Sequence, residues 1–340
     1  MLMFAASWLK SLTPTWQKIS AVTASSTVLI LSLSIIPVWA ADPFREGDQA
    51  REIGENTEAA FKAMFEQGNY QNAQWYLEQA VSQEPDEPMI YALLASLAYQ
   101  QQDLEGVKTY ADQTMVAAKA LESRDLLRSN LYTAIAYFLD GAYILATKGT
   151  LRGAPVALDI LQDVFKHMDA AAKIDATDPE LNLIRGYMDL FLALNLPFSD
   201  TQAAIQKLKD YGNPRHLAYR GLALAYRDLE QPEKALEFIN QAIKDVPENP
   251  ELLYIKAQLL NSIAKRNNNP STLTEAQESF QAALAQPQQL PKKIVAQIFY
   301  EQCKNLNRID NQSRACDPMR DTIRETNSSW GPTREQMPSL

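Results

Sequence analysis

Two histidines, a close pair of carboxylates, a glycine-bounded loop and two cysteines are the places where this 340-residue chain could do chemistry. His167 and His216 are far apart, and neither sits in a recognisable metal-ligand or nucleophile pattern, so both are read as packing or exposed residues. Glu84 and Asp86 flank Pro85, where solvated turn residues are commonplace; proximity alone does not make them an acid–base pair. "GTLRG", residues 149–153, has the glycines of an anion nest but no preceding strand, and reads as a long loop. Cys303 and Cys316 form no Cys-x-x-Cys; in an exported chain the even pair reads as a structural disulfide, with redox or metal use as the other option. No catalytic constellation, metal or cofactor is expected.

Charge narrows the partner. The formal net charge is −9. Apart from Lys292-Lys293 there is no Lys/Arg cluster able to displace phosphate counterions, so nucleic acid is a poor partner. The first 40 residues look separable: Lys10 and Lys18 precede the apolar run Val28 to Ile36, Pro37 breaks it, and "VWA" offers the small residues signal peptidase needs. Cleavage after Ala40 would place the protein outside the cytoplasm, in a periplasm or thylakoid lumen, and leave 30 basic against 41 acidic residues, a formal −11. The other reading is a membrane anchor over residues 19–36, although its Ser and Thr residues dilute it below a span of ~20 apolar residues.

What must hold any binding residue in place is helix. "MIYALLASLAYQQ", "LRSNLYTAIAYFLDGAYILA", "LNLIRGYMDLFLAL" and "LAYRGLALAYRDL" repeat their apolar residues at three and four, and most Pro residues fall between such runs. The fold expected is all-α. Within it, "GNYQNAQWYLEQAVSQEP" sets Ala73 and Ala80 seven apart with Pro85 after them, and residues 217–250 repeat this as Ala235, Ala242 and Pro247. Small residues at that spacing let two helices approach until ridges enter grooves, and proline ends the hairpin.

This pattern resembles the tetratricopeptide repeat, a helical hairpin of ~34 residues. Residues 216–249 match both halves of the consensus and 67–85 its second half; units at 88–121, 179–215 and 250–289 are more worn. The unit at 129–178 is an enlarged hairpin whose helices are separated by "TKGTLRGAP". The resemblance implies an α-solenoid, or superhelix, of about six hairpins over residues 54–289. Flanking it are a signal or anchor (1–40), a linker (41–53), a capping helix with the cysteine pair (290–316) and a polar tail expected to be disordered (317–340).

Such a superhelix implies binding of a protein or peptide along its concave wall. By helical phase the wall candidates are Tyr99, Tyr187, Phe191, Leu217, Arg220, Leu224, Arg227, Tyr254, Gln258 and Asn261, a mixture suited to a partner with apolar anchors and an acidic group. Several could equally pack against the next hairpin. Some family members hold a C-terminal carboxylate with Lys and Asn; Glu58, Lys62, Arg220 and Leu224 depart from that pattern, and the ligand is not carried over. The function expected is an exported interaction scaffold, an assembly or maturation factor for a membrane complex, with exported proteins of photosynthetic bacteria as look-alikes. The alternative is a transporter-accessory or solute-binding protein with a pocket at the enlarged hairpin.

Overall fold

The computed structural model describes residues 42–195 and 201–340, which form helices with no strand among them. In chain order these are α1 (Glu55–Phe65), α2 (Tyr70–Gln83), α3 (Pro88–Gln101), α4 (Leu104–Ala120), α5 (Leu126–Ile174), α6 (Pro179–Asn195), α7 (Thr201–Tyr211), α8 (Arg215–Asp228), α9 (Pro232–Asp245), α10 (Pro250–Asn267), α11 (Pro270–Ala283), α12 (Lys292–Asp310) and α13 (Cys316–Arg324). The expected leader and its cleavage site lie outside the described residues. Among those described, no helix is long and apolar enough to cross a membrane.

The boundaries follow from capping chemistry. Asn69, Asp103, Asp125, Asn249 and Asn269 each turn a side-chain oxygen back onto a free N–H in the first turn of the next helix. Proline opens α3, α9, α10 and α11, where its missing N–H costs nothing. Glu84 belongs to this group: its carboxylate accepts from the Asn56 and Thr57 N–H groups at 2.9 and 3.0 Å, capping α1 from the far end of α2. That is the role of the candidate acid.

Helices pair as α1/α2, α3/α4, α6/α7, α8/α9 and α10/α11. The enlarged unit is α5 alone, bent back on itself at Gly149, whose φ of +71° suits glycine. Asn130 holds the His167 ring at 3.0 Å and Tyr137 stacks on it, fastening the two arms. Ala73, Ala80, Ala235 and Ala242 are fully buried at the helix contacts their spacing predicted. In the fifth unit Phe238 lies between Tyr219 and Tyr226, stacked on both.

Two flanking segments differ from expectation. The chain beyond Cys316 is ordered: α13 is tied to α12 by the Cys303–Cys316 disulfide, and the extended stretch after it returns to the solenoid end. There Lys292 N donates to Ser329 O at 3.0 Å, Gly331 N donates to Leu290 O at 2.8 Å, and Trp330 and Met337 pack on the core. A few apolar side chains in a polar sequence are enough when backbone pairing accompanies them. The 41–53 segment is likewise more than a linker, since Asp42, Phe44, Arg45 and Ile53 are buried.

Candidate functional site

The first helices of successive hairpins, α1, α3, α5, α6 and α8, all face one interior, and the N-terminal segment fills it. Phe44 packs edge-on against Phe61 at 5.1 Å, and Phe61 against Phe65 at 4.8 Å. Around these rings lie Met89, Leu93, Ile135, Leu183 and Leu217, leaving a cavity of about 70 Å³ that Arg220 also lines. Ligand pockets run to roughly 300–1,000 Å³, so this is a packing space rather than a chamber. The enlarged hairpin contributes only Tyr132 and Ile135 to it. The pocket that the transporter-accessory reading calls for there is not this one.

The same interior closes the superhelix. Asn249, while capping α10, donates from Nδ2 to Phe65 O at 2.9 Å, and Asn213 Nδ2 donates to Phe44 O at 2.8 Å. At Gly68, where φ is +61°, an added Cβ would fall 2.6 Å from Pro250 Cδ. The first hairpin therefore touches the start of the sixth, and any larger residue in the α1–α2 turn would separate them.

An ionic cluster anchors the inserted segment. Arg45 donates from Nε and Nη2 to Asp178 at 2.8 and 2.9 Å, from Nη2 to Glu180 Oε2 at 2.9 Å, and from Nη1 to Asp42 at 2.9 Å. Arg128 donates to the same Glu180 oxygen at 3.1 Å and forks onto Glu87 at 2.8 and 2.9 Å; Tyr132 donates to Glu180 Oε1 at 2.6 Å. These groups sit at or just before the N-terminal ends of α3, α5 and α6, where carboxylates also meet the helix dipoles. Burial would raise the Glu180 carboxyl, but Arg128, Arg45 and the Tyr132 hydroxyl outweigh it and bring it down to about 2. Asp178 moves the other way, raised chiefly by burial. Two cations thus hold four carboxylates: Arg45 ties the segment to the start of α6, and Arg128 joins that start to α5 and to the start of α3.

The wall candidates divide into groups. Tyr187, Leu217 and Arg220 meet at the cavity, where Tyr187 donates to Leu217 O at 2.6 Å and Arg220 Nη2 lies 3.4 Å from Glu251 Oε2. Glu251 is buried, and desolvation pushes its carboxyl up to about 8. His216 is lowered to about 4 by burial and the neighbouring Arg220 charge, so it is neutral at physiological pH. Tyr254, Gln258 and Asn261 lie instead beneath α12: Tyr254 and Gln258 donate to Glu301 at 2.8 and 3.0 Å, and Asn261 accepts from Arg308 at 2.8 Å. Leu224 is buried, Arg227 pairs with Asp228 at 2.9 Å, Phe191 meets Phe138 edge-on at 5.9 Å, and Tyr99 is half-buried on α3. Helical phase placed these residues in one class, and the structure distributes them among the interior, the contact with α12 and the half-exposed surface.

Missed from the sequence were Arg45, Arg128, Glu180 and Glu251, each ionisable and each buried. The signal in the sequence was slight: Glu180 and Glu251 both follow a proline at a helix start, positions that otherwise read as solvated. Among the described residues, no group of His, Cys, Asp and Glu could hold a metal ion.

Tetratricopeptide repeat family models match residues 54–106 and 217–259, the hairpins whose alanine spacing is best kept. The chain therefore carries tetratricopeptide repeats within an all-α solenoid. Among solved structures it is similar to TTC0263, a thermophilic tetratricopeptide protein of Thermus thermophilus, with 20% identity and a TM-score of 0.40 over 57% of this chain and 91% of that one. A tetratricopeptide repeat protein of Parabacteroides merdae matches at 13% identity and TM-score 0.37, covering 80% and 98%. The human IFIT1 dimer with PPP-AAAA matches at 16% identity and TM-score 0.40, over 78% of this chain and 61% of that one. Among curated proteins none matches.

Proposed function

We propose that the protein is an exported, non-catalytic interaction scaffold that binds a protein or peptide partner in the service of a membrane complex. The observation that carries the scaffold reading is the repeat architecture itself: tetratricopeptide matches at residues 54–106 and 217–259 of one solenoid, with no reacting group assembled in its described interior. The export half rests on the leader-like first 40 residues and on a paired Cys303–Cys316, a bond at home in oxidising compartments. A net charge of −9 argues against transferring the RNA of the human IFIT1 structure to this chain.

The interior occupied by Phe44 and Arg45 is closed to an extended peptide, so the partner is expected on outer faces, such as the one carrying Trp75, which is 56% exposed on α2. The test is cross-linked capture of the mature protein from its native membrane fraction, paired with a deletion strain. Subunits of one complex should be captured by wild type and lost with Trp75→Glu, and the deletion should leave that complex in subassemblies. A complex that assembles normally without the protein would overturn the reading.

A further inference from the structure

The α5 hairpin is longer than its neighbours need. Its 49 residues give arms of about 24, against 17 for the neighbouring α4 and α6, an overshoot of roughly seven residues or about 10 Å. Burial marks where it leaves the body: Gly141 on one arm and Val164 on the other are buried, and between them only Gly153 is. Asp140, bridged to Lys108 of α4 at 3.3 Å, stands at the point of departure.

The projecting part has an unusual composition for this chain. From Gly141 to Leu158 there is no Asp or Glu, and the only charges are Lys148 and Arg152, both exposed beside the bend; Asp159 and Asp163 follow on the returning arm, nearer the body. Leu151 is 96% exposed at that bend, Leu158 51% and Val156 37%, while Tyr143, Ile144 and Leu145 are half-exposed on the facing arm. The chain as a whole is acidic, so a cationic apolar tip is a feature that an anionic surface would attract while the body is repelled.

We propose that this tip docks on an anionic lipid bilayer. Leu151 enters the headgroup–acyl boundary, Lys148 and Arg152 remain at headgroup depth and donate to lipid phosphates, and the acidic solenoid is held off the surface. Charge selects this occupant: two cations flanking an exposed leucine, with no carboxylate within about eight residues on either side of the bend at Gly149, match a phosphate-rich interface. The proposal does not rest on the scaffold reading; it would hold for any function of the solenoid.

The test uses the mature chain with its disulfide intact and vesicles of phosphatidylglycerol with phosphatidylcholine, or of phosphatidylcholine alone. Co-sedimentation is expected with the anionic vesicles, weakening with added salt, and about tenfold weaker with neutral ones. Leu151→Glu and the double variant Lys148→Glu/Arg152→Glu should each lower anionic-vesicle binding by about tenfold or more, with helicity and melting unchanged because these side chains touch little. A polarity-sensitive dye on Leu151→Cys should brighten and shift to the blue with anionic vesicles, whereas the same dye on Val116→Cys, 70% exposed on α4, should not. Equal binding by the variants, no preference for anionic lipid, or a dye at 151 that stays in water would overturn the proposal. So would tip variants that lose a captured protein while binding vesicles as wild type does.

Discussion

Arg45 Nη2 lies 2.9 Å from Glu180 Oε2, a contact between residues 135 apart in sequence, and through it the N-terminal segment is fixed inside the solenoid. Both side chains are almost wholly buried. Arg45→Met keeps much of the side-chain volume but leaves Asp178 and Asp42 without their cation. Urea unfolding should show a loss of about 3–5 kcal/mol, the range for one partner removed from a buried pair. Limited proteolysis should then cut within residues 42–53 before it cuts the repeats.

Acid should find Glu180 next. Its folded carboxyl sits near 2, below the ordinary 4.5, so the unfolded chain takes up a proton first. The stability it contributes is whole above about 4.5 and is lost as pH falls from there toward 2, on the order of a few kcal/mol. Glu180→Gln should flatten that part of a stability–pH curve measured by denaturant titration.

Glu251 works in the opposite sense. With its folded carboxyl raised from 4.5 to about 8, the folded chain binds the proton that the unfolded chain has released, so stability falls as pH rises between those values. His216, held near 4 against an ordinary 6.5, opposes this below 6.5, which leaves the interval from 6.5 to 8 to Glu251. There a decline on the order of 1 kcal/mol per pH unit is expected, and Glu251→Gln should abolish it.

Arg220 and Arg227 share a helix face but not an environment. Arg220 is 6% exposed and faces Glu251, so Arg220→Glu replaces its hydrogen-bonding cation by a second acidic group in the interior and should cost about 3 kcal/mol or more. Arg227 is half-exposed and salted to its neighbour Asp228, so Arg227→Glu should stay within about 1 kcal/mol. Thermal melts of the two single variants, read side by side, check the contrast.

Reduction should act locally. The Cys303–Cys316 bond spans 13 residues and holds α13 on α12, and closing a loop of that size is worth ~3 kcal/mol in the chain-entropy account. Hydrogen exchange with and without reductant should show protection lost over α13 and the stretch ending at Trp330, while α8 and α9 keep theirs.

The repeat hairpins were legible in the sequence because their determinants are local. Ala235 and Ala242 fall on one face of one helix, Phe238 of the same helix stacks on Tyr219 and Tyr226 of the preceding one, and Pro247 closes the unit. A pattern of this kind needs only the helical period to be read. The cysteine pair was legible for the same reason, lying within a short span of chain, whereas residues 147–155, read as a loop separating two helices, are helical apart from the bend at Gly149.

The wall was legible only as a set of faces. Helical phase says that Leu217, Arg220 and Leu224 point the same way; it carries no information on whether solvent, a partner or another part of the chain lies opposite. In this protein Phe44 and Phe61 lie opposite Leu217, Glu251 faces Arg220, and α12 covers Tyr254. The difference arises because small rotations between successive hairpins add up over the whole solenoid, and their sum brings Phe65 to Asn249. By itself the sequence determined the repeat, its helices and its acidic surface. Only the tertiary structure decided that the groove closes on its own N-terminal segment, because that depends on contacts between residues far apart in the chain, which no local period encodes.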